Sequence, residues 1–343
     1  MSRASYFRRR SLVCAMVSLL AAGCLDFHAG AVPGAPKGAQ FANLKGTRIH
    51  FSDSGAGPPV VLVHGFASSL NVWGGVKKAL LPAHRVLALD LKGFGYSSRP
   101  EGDYSPKAQA ELVLALLDER GVEGPVDFVA HSWGSSVVLE LALIAPERVR
   151  KIALYDAWVY EDQLPSTFAW ARADGMGELL IGAFYDERAD EKMASAFFDP
   201  KYVTEELVDT VEDQLARPGT KAAALAAIRG QRYENIEARY KKIEKPVLLL
   251  WGREDRVTTL DFGERLSKEL PNAHLNVYPQ CGHFPMIEAV SPSTRDLVEF
   301  LAQAAPQAPA PTPPTPPTPS KPSEPAPPPA TSGAPGDDPE ATR

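Results

Sequence analysis

The chain has 343 residues, 44% hydrophobic and 23% charged, an ordinary globular composition apart from 32 prolines that gather toward the C-terminal end. Formal net charge is −6; the segment before Cys24 carries Arg3, Arg8, Arg9 and Arg10 and no acid, so setting those four charges aside takes the remainder to about −10. An acidic chain without a basic stripe repels phosphate backbones, which excludes nucleic acid as a partner.

Residues 1–23 read as an export signal of the lipoprotein type. Arg8-Arg9-Arg10 forms a basic start, and residues 12–22 form an apolar run. That run is shorter than the roughly 20 residues a membrane-spanning helix needs. It ends Leu20-Ala21-Ala22-Gly23-Cys24, which resembles the lipobox of bacterial lipoproteins. The resemblance implies lipidation of Cys24, a cell-envelope location, and membrane association only through that anchor. Cleavage after Ala29-Gly30-Ala31, giving a soluble secreted or periplasmic protein, is the alternative. Arg9-Arg10-Ser11-Leu12-Val13 also resembles a twin-arginine signal. Of the three cysteines, Cys14 leaves with the signal and Cys24 carries lipid, so Cys281 remains as a lone, small, buried thiol. Residues 24–40 read as a linker.

About 260 residues then remain for one large domain, which buries roughly 70–75% of its unfolded surface without disulfides or metal. Short apolar runs alternate with helical stretches, which predicts an α/β fold with a mostly parallel sheet flanked by helices. Strands are predicted over 45–52, 59–63, 85–89, 126–130, 151–155, 246–251 and 275–278, and helices over 105–120, 133–145 and 292–303. No strand is predicted over 158–239. That segment reads as a helical cap inserted after the sixth strand, between core segments 41–157 and 240–303. Its Phe168, Trp170, Phe184, Tyr185, Phe197 and Phe198 either line an acyl pocket or fasten the cap to the body. Residues 304–343, rich in Pro, Ala, Thr and Ser, cannot build a core and read as a disordered tail.

Val126-Asp127-Phe128-Val129-Ala130-His131-Ser132-Trp133-Gly134 runs a β-rich stretch into a serine with a helix immediately after. A strand-to-helix turn of that kind brings backbones close and demands small residues two before and two after the serine. Gly134 meets the demand, and Ala130 stands where glycine is usual. Ser132 alone also suits a helix N-cap, so the other motifs decide. Val61-Leu62-Val63-His64-Gly65-Phe66 is a strand entering a His-Gly turn. Asp90-Leu91-Lys92-Gly93-Phe94-Gly95-Tyr96-Ser97 is a tight, architectural loop. Leu248 to Asp255 places a carboxylate after a buried strand, where it can orient an imidazole; Glu254 beside it and Asp156 at an earlier strand end are rival acids. Gln280-Cys281-Gly282-His283 places a histidine after the last strand, and imidazole titrates near neutrality, as a general base requires. His64 and His131 read as structural, and His50, His84 and His274 as packing or surface residues.

The order Ser132, Asp255, His283, with the His-Gly turn and the Asp90–Ser97 loop, resembles the α/β-hydrolase superfamily over about residues 40–303. The His131–Gly134 and Gly282–Glu288 segments resemble haloalkane dehalogenases and epoxide hydrolases. Those enzymes use an Asp nucleophile, so Ser132 argues against both activities. Ser132-Trp133-Gly134-Ser135 also resembles proline iminopeptidases. The resemblance implies the α/β-hydrolase fold and an oxyanion hole from the N–H groups of Phe66 and Trp133. It implies a serine hydrolase that cleaves an ester-like bond of a small acyl substrate through Ser132–His283–Asp255 and an acyl-enzyme, with no metal or organic cofactor. An aminopeptidase, a carbon–carbon bond hydrolase, a cofactor-free haloperoxidase-like enzyme and a binding protein on an inactive scaffold are the alternatives.

Overall fold

The computed structural model describes residues 25–303; the segment expected to be an export signal, Cys24 and residues 304–343, read from sequence as a tail, lie outside the described residues. The chain opens with a hairpin, β1 (Gln40–Leu44) and β2 (Thr47–Ser54). Lys45 and Gly46 turn between them, both at positive φ. This corrects the single strand expected over 45–52: Lys45 belongs to the turn, a place where glycine relieves the steric cost of positive φ.

β3 (Pro59–Val63), β4 (Arg85–Leu89), β5 (Val126–His131), β6 (Val149–Tyr155), β7 (Val247–Gly252) and β8 (Ala273–Tyr278) complete the sheet. The spatial order is β1-β2-β4-β3-β5-β6-β7-β8. β2 pairs antiparallel with β1 and with β4, and every other pair is parallel. β5 and β7 are buried along their whole length, because helices cover both faces of a parallel sheet. Side chains alternate across β3: Val61 and Val63 join one apolar cluster with Phe128, Leu139 and Trp251, while Val60 and Leu62 join another with Trp73 and Leu297.

The flanking helices are α1 (Gly74–Leu80), α2 (Pro106–Glu119) and α3 (Gly134–Ile144) before β6, and α9 (Leu260–Glu269), α10 (Pro285–Glu288) and α11 (Val290–Ala302) after β7. The start of α2 is explicit in the sequence. Ser105 accepts from the Ala108 N–H as N-cap, Pro106 follows it, and Gly121 adopts the left-handed conformation just past the end.

Between β6 and β7 lie only helices: α4 (Ser166–Ala171), α5 (Met176–Phe184), α6 (Ala189–Ala196), α7 (Glu205–Leu215) and α8 (Thr220–Gly230), with short 3-10 turns. This helical segment follows the sixth strand of the sheet. Residues 25–39, read from sequence as a linker, are docked instead. His28 pairs with Arg99 through backbone bonds of 2.9 and 2.8 Å, Val32 is buried, and the Phe27 ring stacks on Tyr104.

Candidate active site

Ser132 leaves the end of β5 at φ +50 and is almost fully buried. A non-glycine residue there is strained, and the surroundings must impose the conformation. They do so from both sides. The Ser132 N–H donates to the Tyr155 carbonyl at 2.9 Å, and the Trp158 N–H donates to the Ser132 carbonyl at 3.1 Å. Two glycines allow the crowding. A β-carbon on Gly65 would lie 2.9 Å from that of Ser132, and one on Gly134 would run into the carbonyls of Val63 and His64. The His-Gly turn therefore rests directly on the elbow.

His64 fixes that turn. Its Nδ1–H donates to the Gly65 carbonyl at 2.7 Å, and its Nε2 accepts from the Leu91 N–H at 3.0 Å. Burial lowers its pKa, so the ring is neutral, as this pairing requires. Among the described residues, neither the Phe66 nor the Trp133 backbone N–H donates a hydrogen bond, and Trp133 stands at the N-terminus of α3. Free N–H groups at a helix start suit a developing anion.

The acid and the imidazole predicted from sequence meet. His283 Nδ1–H donates to Asp255 Oδ2 at 2.7 Å. Asp255 also accepts from the Val257 N–H at 2.7 Å, the Thr258 N–H at 3.1 Å and the Thr258 hydroxyl at 2.7 Å. Burial alone would raise its pKa, but the His283 charge and these donors hold it below the usual carboxylate value. Glu254 faces elsewhere and accepts from the Cys281 N–H at 3.0 Å. No hydrogen bond joins Ser132 Oγ to His283 among the described residues; such contacts commonly tighten only when substrate binds. Asp156, Asp255 and His283 place one ligand atom each within 4.8 Å of one another. His283 Nδ1 is already engaged with Asp255, and one Asp156 oxygen with the Gly252 N–H.

Three further residues support the site: His131, read from sequence as structural, and Glu288 and Ala196, which sequence reading missed. The His131 Nε2–H donates to the His283 carbonyl at 2.8 Å, and the two rings lie 4.7 Å apart. Burial, then the nearby His283 charge, pushes its pKa well down, so it is neutral. Glu288 accepts from the N–H groups of Gly282 at 2.8 Å, Phe198 at 2.8 Å and Asp199 at 3.1 Å. The His283 N–H donates to the Ala196 carbonyl at the end of α6, at 2.7 Å. His131 lies in the elbow motif and Glu288 in the histidine-loop motif, but nothing in the spacing of Glu288 reveals a clamp. Cys281 is a buried thiol whose pKa burial raises. Asp90 is architectural: it accepts from His50 Nδ1–H, the Leu70 N–H and the Tyr96 N–H, each at 2.7 Å.

A cavity of about 730 Å³ lies beside this cluster, under the helical segment. Phe66, Phe168, Tyr185, Phe197, Leu215 and Phe284 contribute to its wall. Ser132 and His283 are not in that wall, but Phe66 and Phe284, next to the two motifs, are. Of the six aromatics named in the helical segment, Phe168, Tyr185 and Phe197 line the cavity, while Trp170, Phe184 and Phe198 are exposed. Lys192 is the one side chain of the wall, among the described residues, that is charged at neutral pH. Its Nζ donates to the carbonyls of Phe184 at 2.8 Å and Tyr185 at 3.0 Å.

Known proteins place this arrangement. The chain is 30% identical over 272 residues to a 2-hydroxymuconate semialdehyde hydrolase of Pseudomonas putida, covering 76% of this chain and 92% of that one. It is 31% identical over 269 residues to a 2-hydroxy-6-oxononadienedioate/2-hydroxy-6-oxononatrienedioate hydrolase of Paraburkholderia phymatum, covering 75% and 91%. The crystal structure of a meta-cleavage product hydrolase from Pseudomonas fluorescens superposes with a TM-score of 0.66 at 25% identity, covering 76% and 97%. The model of the alpha/beta hydrolase family matches residues 60–300. With that match, and with the eight-stranded sheet and the elbow at Ser132 in place, the chain belongs to the alpha/beta hydrolase family and is a hydrolase.

Proposed function

We propose that the protein cleaves a neutral, ester-like acyl substrate through an acyl-enzyme on Ser132. His283 takes the Ser132 proton as the oxygen attacks the carbonyl carbon, and Asp255 stabilises the imidazolium. The oxyanion accepts from the Phe66 and Trp133 N–H groups, and removing one such donor typically costs about 3–4 kcal/mol. His283 then gives its proton to the departing alcohol. Water, deprotonated by the same imidazole, releases the acid and restores Ser132. The observation that carries this reading is the Asp255–His283 pair set beside the strained Ser132 turn and an apolar cavity.

Carbon–carbon bond hydrolysis on the same three residues is a second reading. It is favoured by the relatives near 30% identity, which act on a muconate semialdehyde and on nonadienedioates. Those compounds carry carboxylates, whereas the cavity wall offers only Lys192, already bound to two carbonyls, so neutral esters suit it better. The test is a panel of p-nitrophenyl esters of increasing chain length, proline amides and vinylogous diketones. Esters should turn over fastest, and Ser132→Ala should lower kcat by about 10³-fold or more with the fold intact by circular dichroism. Faster turnover of the diketones would replace the ester reading with the second one, and activity surviving in Ser132→Ala would reject both.

We also propose that the protein is exported and anchored through lipid on Cys24. The lipobox-like sequence supports this, and no helix among the described residues is long and apolar enough to cross a membrane.

A further inference from the structure

We infer that Asp156 is a neutral carboxylic acid whose hydroxyl hydrogen-bonds Asp255, and that it positions the acid loop and through it His283. This rests on the roles proposed above for Asp255 and His283.

Asp156 ends β6 at φ +42, one strand over from Ser132 and also strained, and it is fully buried. Its backbone ties it to the neighbouring strand, where the Asp156 N–H donates to the Leu250 carbonyl at 3.1 Å. Its side chain reaches further: Oδ1 accepts from the Gly252 N–H at 2.9 Å, where β7 gives way to the acid loop. Its carbonyl lies 3.2 Å from the Thr258 hydroxyl oxygen, whose one proton goes to Asp255 Oδ2 at 2.7 Å. The second oxygen, Oδ2, is buried and has no donor. An acceptor left that way inside a protein is costly.

The neighbouring acid explains it. Asp156 and Asp255 share a pocket with ligand atoms within 4.8 Å, and two carboxylates that close and that buried do not both ionise. Counting donors assigns the proton. Asp255 receives four hydrogen bonds, from Val257, twice from Thr258 and from His283, whereas the Asp156 carboxyl receives one. The charge therefore stays on Asp255 and the proton on Asp156, where its O–H turns the orphan oxygen into a donor toward Asp255. The remaining surroundings agree. Cys281 and Glu288 face the group from the histidine loop, Glu254 is bound to the Cys281 N–H, and His131 is neutral. Burial, then the Asp255 charge, pushes the Asp156 carboxyl well above the ordinary range.

Asp156→Asn keeps a donor and the shape but cannot ionise, whereas Asp156→Ala removes both contacts. On the p-nitrophenyl ester panel, Asp156→Asn should hold kcat/KM within about twofold and leave the acidic limb of its pH profile in place, while Asp156→Ala should lose about tenfold or more in kcat. A second measurement needs no substrate. The stabilisation from a group whose folded pKa is raised is complete below its ordinary value of about 3.9 and is lost as pH rises toward the folded value. Thermal melting of Asp156→Asn should therefore gain on the native protein as pH rises from 5 to 8. If Asp156→Asn is as damaged as Asp156→Ala, or if its melting difference stays flat with pH, Asp156 acts ionised and the inference falls. The melting comparison holds even if Asp156→Ala does not fold. It is also independent of the substrate, so failure of the ester reading leaves it standing.

Discussion

At the scale of single residues, the site depends on what packs behind it. Ser132 and Asp156 are both forced to positive φ where adjacent strands leave the sheet, and Ser132–Tyr155 and Trp158–Ser132 backbone bonds tie those two ends together. His131 is the less obvious partner, because its ring packs at a tilt against that of His283 and donates to the His283 carbonyl. It is buried and neutral, so the unfolded chain binds a proton there more readily than the folded one. A depressed histidine pKa contributes stability that is complete above the unfolded value near 6.5 and is lost as pH falls below it. His131→Phe keeps a ring packed against His283 and removes both the titration and the donor. Its melting temperature should fall less than the native protein's between pH 7 and 5, while kcat drops by about tenfold as His283 loosens. Ser132 at the elbow, the Asp255 carboxylate and the His283 imidazole were readable as residue types at motif spacings. The work of His131 was not, because a histidine beside a serine has no sequence mark of the direction its ring takes.

At the scale of elements, the histidine loop is clamped from the helical segment. Glu288 receives three backbone N–H groups, two of them from Phe198 and Asp199, and Ala196 at the end of α6 accepts from His283 itself. These bonds tie the end of α6 and the residues after it to the loop that carries His283. The other edge of the fold shows the same logic. Lys151 is buried in β6, and its Nζ donates to the carbonyls of Phe300 at 2.6 Å and Leu301 at 3.1 Å in the last turn of α11. It serves as a cap for orphan carbonyls at a helix C-terminus, where a cation is also favoured by the helix dipole. Lys151→Met should cost about 1–3 kcal/mol, read as a lower urea midpoint with an unchanged slope. From sequence, Lys151 read only as the first residue of a strand. A lysine at a strand start gives no sign of a helix 149 residues away.

At the scale of the whole molecule, the body is one mostly parallel sheet with a docked N-terminal segment and a helical roof over an apolar cavity. The docked segment begins at Leu25, which packs against Ala171, Leu225 and Ile228 of the roof. Cys24 immediately precedes it and is the residue proposed to carry lipid. Produced in a bacterium with lipoprotein processing, the mature protein should partition into detergent and show, by mass spectrometry, an acylated cysteine as residue one. Cys24→Ala should move it to the soluble fraction; an unmodified mature terminus beyond Ala31 would instead identify the soluble exported form.

The sequence by itself determined the class of fold and the order Ser132, Asp255, His283. Both follow from local rules: apolar runs of strand length, glycines where backbones crowd, and reactive residues at the ends of strands. It also separated strand from helix across most of the core, but it started β2 two residues early, at Lys45 in the turn, and left β1 (Gln40–Leu44) unread. The tertiary structure supplies the reason Asp255, the acid chosen from sequence, pairs with His283: Glu254, its neighbour in the chain, is turned away to accept from the Cys281 N–H. It alone decided that Phe168, Tyr185 and Phe197 of the roof line the cavity, that residues 25–39 are docked, and that Asp156 stands beside Asp255. Those facts depend on which side chains share a buried volume, and burial is a property of the packed whole that no local spacing encodes.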